Sequence, residues 1–233
     1  MPLAPQTCSK DFPLPLKAVL IDLDGTLLDT APDLAGATNL TLSELGFPAV
    51  DARLIRGFIG GGIAVLLQRA LTAALGSKPD DEIYRRSLPL FEKHYAALIP
   101  GQTRPFPGVL QGLQKLRAQG LRLACVTNKV ERFTLPLLQA TGLSKFFELV
   151  VSGDSLPRKK PDPLPLTHCC AHFHSAPHET LLIGDSPHDT DAARAAGCPV
   201  FCVPYGYGRD VRELDCDAIV ATLKDAADLV IKA

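Results

Sequence analysis

The aspartates Asp22 and Asp24 have one residue between them and stand where the first apolar run of the chain ends in a glycine turn. Because alternate side chains of an extended chain point to the same side, this spacing aims both carboxylates into one space. In an α/β sheet, ligands bind beyond the carboxyl ends of the strands, so a pair at this place is a candidate reaction centre. Crowded carboxylates also need a cation to offset their charge. A simple turn capped by aspartate is the alternative interpretation.

Two further segments carry groups suited to an anion. Thr127-Asn128-Lys129 follows the run LRLACV and offers a hydroxyl group and backbone N–H groups near the start of a helix, which suits phosphate oxygens. A helix cap is the alternative for this segment. Lys160 precedes a proline in RKKPDP, where a solvated loop lysine is the alternative and Lys159 is the neighbour that could take its place.

The string VLIDLDGTLLDT, which contains Asp22 and Asp24, resembles the nucleophile motif of the haloacid-dehalogenase-like superfamily. The segments VTNK, KPDP and GDSPHD resemble its later motifs and follow in the same order, over nearly the whole chain from about residue 17. The resemblance implies that Asp22 is the nucleophile and that Asp24 acts as acid and base. It also implies that a phosphoryl group is held by Thr127, Asn128 and Lys160.

A magnesium site is a further implication of this resemblance. Asp185 follows the predicted strand TLLIG, and Asp189 stands at the start of the helix behind it. Mg²⁺ prefers oxygen ligands in octahedral geometry, and we expect Asp22, Asp185 and the backbone carbonyl of Asp24 to bind it. Asp189 is expected to act through water or to orient the loop. A residue that only favours a helix N-terminus is the alternative for Asp189.

The resemblance therefore implies a phosphatase that hydrolyses a small phosphate monoester through a phospho-aspartate on Asp22. The expected substrate is 2-phosphoglycolate, and a sugar phosphate or pyrophosphate is the alternative. A dehalogenase is disfavoured because Asp24 would have no task in that reaction. A catalytically inactive binding protein is the remaining alternative, and it conflicts with the presence of every catalytic residue type.

These residues need a scaffold of parallel strands to bring them together. Short apolar runs at 17–22, 121–126, 148–151, 180–184 and 199–203 predict buried strands, and each is followed by a stretch with a helical pattern. The repeated β-α pattern predicts an α/β fold with a three-layer, Rossmann-like parallel sheet as its core.

About a hundred residues separate the first two of these strands, which is more than one crossover helix requires. Helical patterns occupy 32–46 and 63–76, and Pro89 is expected to kink or split a third at 81–98. We therefore predict an N-terminal extension at 1–16, a catalytic core formed by 17–31 and 102–233, and a helical cap at 32–101. The glycine-rich stretch 56–62 is expected to be a cap loop, and its Arg56 is a candidate for binding substrate.

Composition argues against several other classes of protein. The formal net charge of −1 provides no basic surplus for nucleic-acid binding, so we expect a small phosphorylated metabolite as partner. No apolar run reaches the roughly 18 to 20 residues of a membrane span. The seven cysteines form no regular framework and the N-terminus lacks the features of a signal peptide, which favours a cytoplasmic location. A monomer and a homodimer both remain open.

Overall fold

The computed structural model describes residues 6–7, 15–208 and 210–231. Its centre is a seven-stranded sheet in the order β1-β9-β8-β7-β2-β5-β6, and β3 and β4 form a separate antiparallel pair. The strands are β1 (Gln6–Thr7), β2 (Ala18–Ile21), β3 (Leu28–Asp29), β4 (Arg104–Pro105), β5 (Arg122–Val126), β6 (Leu149–Val151), β7 (Thr180–Gly184), β8 (Val200–Cys202) and β9 (Ala218–Ile219).

Strand β2 lies in the middle of this sheet, between β5 and β7, and runs parallel to both. Its residues are completely buried because helices cover both faces of the sheet. Val19 and Ile21 pack on one face, and Ala18 and Leu20 pack on the other. The predicted α/β fold is confirmed, and the five predicted strands differ from the observed ones by about one residue at each end.

The helices divide between the two faces of the sheet and the long insert after β3. Leucines of α5 and α9 pack on the face that holds Val19 and Ile21, whereas α7 and α8 cover the opposite face. The helices are α1 (Ala31–Glu44), α2 (Ala52–Arg56), α3 (Ile63–Leu75), α4 (Asp81–Leu98), α5 (Val109–Ala118), α6 (Glu131–Ala140), α7 (Leu164–Phe173), α8 (Pro187–Ala196) and α9 (Leu223–Ile231).

Helices α1 to α4 have an apolar cluster of their own. Leu34, Leu67, Leu71 and Phe91 are buried in it, and Phe133 of α6 joins the cluster from the core side. The insert is therefore packed around its own core and rests on the sheet domain through α6. The division of the chain at 31/32 and 101/102 stays a prediction.

Polar contacts fix the two chain segments that lead into and out of the insert. The Asp33 carboxylate, near the start of α1, accepts hydrogen bonds from the backbone N–H of Gln102 at 2.8 Å and of Thr103 at 3.0 Å. The Thr103 hydroxyl donates to the same carboxylate at 2.8 Å. Asp33 is only 3% exposed, so these hydrogen bonds are stronger than they would be in water. They hold the two segments side by side.

Pro89 was predicted to kink or split the third helical stretch. The split is wrong, because α4 is continuous from Asp81 to Leu98 with Pro89 inside it, and the kink stays a prediction. Proline removes one hydrogen bond of the helix. Buried Ser87, Phe91 and Tyr95 follow one another at the helical spacing of four residues and face the interior of the insert. Tertiary packing along this face thus offsets the local penalty.

Most of the predicted N-terminal extension lies outside the described residues. Within it, Gln6 and Thr7 form the edge strand β1, which pairs antiparallel with Ile219 and Ala218 of β9. Among the described helices, none has both the length and the apolar character that a membrane span requires.

Candidate active site

Three neighbouring strands deliver the predicted site residues to one edge of the sheet. Residue Ile21 of β2 is paired with Cys125 of β5 and Ile183 of β7, so the residues that follow these strands come together. Asp22 follows β2, and Asp185 follows β7 after Gly184. Thr127 and Asn128 follow β5 in the same way, and all four of these side chains are buried.

The ammonium group of Lys160 contacts three oxygen atoms. Its Nζ lies 2.8 Å from Asp22 Oδ1, 2.7 Å from the backbone oxygen of Val126 and 2.5 Å from Asp189 Oδ1. An ammonium group has three N–H donors, so these contacts use its whole capacity. The neighbouring Lys159 instead donates to the backbone oxygen of Gly61 at 2.8 Å, and the structure therefore separates the two lysines.

Asp189 holds the loop between β7 and α8. Its Oδ2 accepts hydrogen bonds from the Ser186 hydroxyl at 2.6 Å and from the Ser186 backbone N–H at 3.1 Å. The Asp185 backbone N–H donates to the same oxygen at 3.3 Å. Asp189 is completely buried, and its carboxylate contacts both this loop and Lys160. The bond to the Ser186 N–H also caps the start of α8, so both interpretations of Asp189 stay predictions.

Three buried carboxylates meet in this site. Oxygen atoms of Asp22, Asp185 and Asp189 all lie within 4.8 Å of one another, while a single ammonium group, that of Lys160, lies among them. Buried charge of one sign is costly unless a cation offsets it. A hard divalent cation with oxygen ligands fits this excess of carboxylate, and Asp22, Asp185 and the backbone carbonyl of Asp24 are the groups that would hold it.

Burial and like charge change the titration of these groups. Burial raises the pKa of Asp22 well above its usual value; the nearby Lys160 works in the opposite direction, and Asp189 and Asp185 add to the increase. Burial, followed by the charge of Asp189, raises the pKa of Asp185 to about 7. Burial disfavours the charged form of Lys160, but Asp189 and Asp22 outweigh it and the pKa of Lys160 is raised. Without a bound cation, burial thus favours the protonated forms of Asp22 and Asp185.

The loop after β8 closes one side of the carboxylate cluster. The Tyr207 backbone N–H donates to Asp185 Oδ2 at 2.6 Å. A side chain at Gly206 would collide with the Asp185 carboxylate, and one at Gly25, where φ is +88°, would do the same. These two glycines are therefore required for the close approach of backbone to Asp185. No pattern in the sequence predicts this bond, because it joins two loops that are distant along the chain.

Asp24 lies at the mouth of the site between two donors. Its Oδ1 accepts from the Thr30 hydroxyl at 2.6 Å, and its Oδ2 lies 3.0 Å from Lys129 Nζ. Burial opposes the charge of Lys129, yet the Asp24 carboxylate outweighs this effect and the pKa of Lys129 is raised. Lys129 and Thr30 were not assigned a role from the sequence, although Lys129 stands directly after Thr127 and Asn128.

Arg56 is placed apart from these residues. Its Nη2 donates to the backbone oxygens of Tyr205 at 2.8 Å and Gly206 at 2.9 Å, and its guanidinium carbon lies 5.0 Å from the centre of the Tyr207 ring. Arg56 thus connects α2 of the insert to the loop that holds Asp185. It does not line the cavity above Asp22.

A small cavity lies between the sheet domain and the insert. It offers about 30 Å³ of space for the centres of water-sized molecules. The insert contributes mainly apolar atoms to its wall, and the Asn128 side-chain amide donates to the Gly60 backbone oxygen at 3.0 Å across the same gap. The lining residues are Asp22, Asp24, Leu34, Ile59, Gly60, Gly62, Ile63, Leu66, Thr127, Asn128 and Lys129.

The model of the haloacid dehalogenase-like hydrolase family matches residues 19–203. The chain belongs to this family. Divalent metal use and attack by an aspartate are general features of its phosphatases, and the geometry described above suits both. As the matched residues span β2 to β8, they include all of the predicted core motifs.

Several relatives are similar to the chain over almost its whole length. A phosphoglycolate phosphatase of Nitrosospira multiformis is 59% identical, with 95% of this chain and 98% of the relative covered. One of Thiobacillus denitrificans is 56% identical, with 96% of this chain and 100% of the relative covered. A crystal structure of a predicted phosphoglycolate phosphatase from Haemophilus somnus superposes with a TM-score of 0.88 at 33% identity, covering 92% of this chain and 97% of that one.

Proposed function

We propose that this phosphatase hydrolyses 2-phosphoglycolate to glycolate and phosphate, with Mg²⁺ as its metal. The observation that carries the choice of substrate is the small cavity, which is lined by Asp22, Asp24 and Lys129. The Lys129 ammonium group lies 3.0 Å from Asp24 Oδ2. A substrate with a phosphate at one end and a carboxylate at the other matches both the size and the charge of the cavity. The names of the relatives at 59% and 56% identity support the same choice.

In the first half of the proposed reaction, the Asp22 carboxylate attacks phosphorus. A bond forms between an Asp22 oxygen and phosphorus, the bond from phosphorus to the glycolate oxygen breaks, and Asp24 gives that oxygen a proton. Lys160, fixed between Asp22 and Asp189, holds the nucleophile in place and adds positive charge beside the phosphoryl group. The family resemblance assigns to Thr127 and Asn128 the task of holding its oxygens.

In the second half, Asp24 removes a proton from water, and the water oxygen attacks phosphorus. The bond between phosphorus and Asp22 then breaks, which releases phosphate and restores the carboxylate. Bound Mg²⁺ would supply further positive charge to the phosphoryl oxygens in both steps. We propose that residues 32–101 act as the cap, which excludes water while Asp22 attacks and admits it afterwards.

The test is a comparison of kcat/KM over a panel of phosphate monoesters and pyrophosphate, assayed with Mg²⁺. The panel contains 2-phosphoglycolate, sugar phosphates of increasing size and an aryl phosphate. We expect 2-phosphoglycolate to have the highest kcat/KM, because larger leaving groups exceed the small space above Asp22 and Asp24. A sugar phosphate that exceeds it by orders of magnitude would overturn the substrate assignment and leave the phosphatase mechanism intact.

A further inference from the structure

Lys129 lines the cavity, and its ammonium group is buried beside Asp24, one of the residues that react. The Lys129 side chain is 4% exposed, and its Nζ lies 3.0 Å from Asp24 Oδ2 and 4.9 Å from the centre of the Tyr95 ring. The ring holds the ammonium group without neutralising it. Asp24 supplies the negative charge that a buried ammonium group needs.

The other basic groups near the cavity are occupied elsewhere. Lys160 directs its donors to Asp22, Asp189 and a backbone oxygen, and Lys159 donates to Gly61. Arg56 is bound to the loop after β8. Among the described residues that line the cavity, Lys129 is the one with a positive charge.

We propose that Lys129 is the specificity-determining residue that binds the carboxylate of the substrate, and that it exchanges Asp24 for this carboxylate when the substrate enters. The inference rests on the proposed function, because it needs a substrate with a carboxylate. It assigns to Lys129 the role that the sequence had suggested for Arg56.

The positions of the groups support this exchange. In the proposed reaction, Asp24 must lie within hydrogen-bond reach of the leaving oxygen. The carboxylate carbon of 2-phosphoglycolate is only two bonds from that oxygen, so the carboxylate reaches the neighbourhood of Asp24, where Lys129 Nζ lies. Lys129 keeps its burial and gains a new anion, while Asp24 keeps its bond to the Thr30 hydroxyl.

The exchange lets the substrate's carboxylate affect catalysis as well as binding. With Lys129 bound to the substrate, Asp24 Oδ2 is released from its ion pair and can turn to the leaving oxygen. A phosphate ester without a carboxylate leaves Lys129 on Asp24, so it forms one contact fewer and also finds Asp24 held away from the reaction. Discrimination by Lys129 should therefore be visible in both KM and kcat.

The experiment compares Lys129→Met with the wild type on 2-phosphoglycolate and on ethyl phosphate, which is of similar size and has no carboxylate. We expect Lys129→Met to reduce kcat/KM for 2-phosphoglycolate by roughly 10- to 100-fold, the range for loss of a charged hydrogen bond. For ethyl phosphate, we expect a change below about threefold, or a gain, because Asp24 is released without substrate charge. Lys159→Met is the matched control, and it should affect the two esters equally.

A binding measurement separates recognition from turnover. Calorimetric titration of Asp22→Asn with 2-phosphoglycolate, with and without Lys129→Met, should show a loss of affinity that ethyl phosphate does not show. In the wild type, kcat/KM should decrease in the order 2-phosphoglycolate, ethyl phosphate, phosphoethanolamine, because their distal groups are anionic, neutral and cationic. This series requires no variant, so a wild type without dependence on the distal charge would overturn the proposal even if Lys129→Met does not fold.

The two proposals fail in different ways. If the wild type prefers 2-phosphoglycolate but Lys129→Met reduces kcat/KM for both esters by the same factor, Lys129 only positions Asp24, and the inference is wrong while the function stands. If the wild type prefers a sugar phosphate, or shows no dependence on the distal charge, the proposed function is wrong and the carboxylate role of Lys129 is wrong with it.

Discussion

The ammonium group of Lys160 lies 2.8 Å from Asp22 Oδ1 and holds the proposed nucleophile in one orientation. The same group lies 2.5 Å from Asp189, so one side chain links the end of β2 to the start of α8. Its side chain is 2% exposed, and solvent therefore does little to screen these contacts. Lys160 is thus a structural residue as well as a proposed catalytic one.

Lys160→Met should destabilise the protein strongly, because it leaves Asp22, Asp185 and Asp189 buried without their ammonium partner. Removal of one member of a buried ion pair costs roughly 3–5 kcal/mol. Urea unfolding in the presence of a chelator measures this change. Lys159→Met is the control, since Lys159 donates only to a backbone oxygen, and its effect should stay below about 1.5 kcal/mol. Equal losses for the two variants would contradict the special role of Lys160.

Asp22→Asn should remove turnover while the fold remains intact. An amide has nearly the same shape as a carboxylate, but it cannot attack phosphorus, so we expect kcat to decrease by more than about 10³-fold. Single-turnover assays measure the residual rate, and near-ultraviolet circular dichroism checks the fold. Wild-type kcat in a preparation free of contaminating phosphatase would show that another residue is the nucleophile.

Asp185 should couple stability to pH when no metal is bound. Its pKa in the folded protein is raised to about 7, above the usual value for an aspartate, mainly by burial. A folded-state pKa raised in this way contributes stability that is complete below the unfolded pKa and is lost as the pH rises through about 7. In chelator, Asp185→Asn should therefore become more stable relative to the wild type as the pH rises from about 4 to about 7. Urea unfolding at several pH values measures the difference, and a constant difference would contradict the coupling.

Mg²⁺ should offset the loss of stability that the buried Asp185 carboxylate causes at high pH. It should also be required for activity. At a free concentration of one hundred times its Kd, a ligand that binds only the folded state stabilises it by about 2.7 kcal/mol. We expect EDTA to abolish activity and Mg²⁺ to restore it. Ca²⁺ should inhibit, because it favours more ligands and longer bonds than an octahedral site provides. Full activity in EDTA would rule out the metal assignment, and Asp185→Asn should lack the stabilisation by Mg²⁺.

Arg56→Ala should reduce activity without changing specificity. Arg56 connects α2 to the loop that carries Tyr205 and Gly206, and it lies outside the cavity. Loss of about 1 kcal/mol of hydrogen bonding would reduce kcat/KM roughly fivefold for 2-phosphoglycolate and for ethyl phosphate alike. Steady-state kinetics on both esters test this expectation. A selective loss for 2-phosphoglycolate would return the carboxylate role to Arg56.

The sequence predicted the sheet and its order of motifs because buried parallel strands are short, apolar and followed by polar residues. The same pattern, with the motif resemblance, predicts Asp22, Thr127, Lys160 and Asp185 as site residues, and the structure brings them to one edge of the sheet. The roles assigned to these residues stay predictions. The distinction between Lys159 and Lys160 came from motif resemblance, and the structure gives it a physical basis.

Other features could not be predicted because they depend on contacts between distant parts of the chain. The bond from Tyr207 to Asp185 joins two loops, and nothing in either local sequence indicates it. Pro89 was expected to kink or split a helix, and the local rule for proline that predicts a split does not include the packing of Phe91 and Tyr95. Lys129 lacked a role because its burial and its contact with Asp24 become visible only when the insert is placed over the sheet.

The position of β2 in the middle of the sheet has a consequence for the order in which the protein is assembled. Ala18 is paired with Arg122 on one side and Thr180 on the other, so the strand that carries Asp22 is synthesised long before either neighbour. The insert consists of helices with local contacts and can form early, whereas pairing of distant strands is slow. A nascent chain therefore carries β2 with both edges open until β5 has been synthesised and with one edge open until β7 follows. A chain that stops before Asp185 should neither bind metal nor bury its first strand.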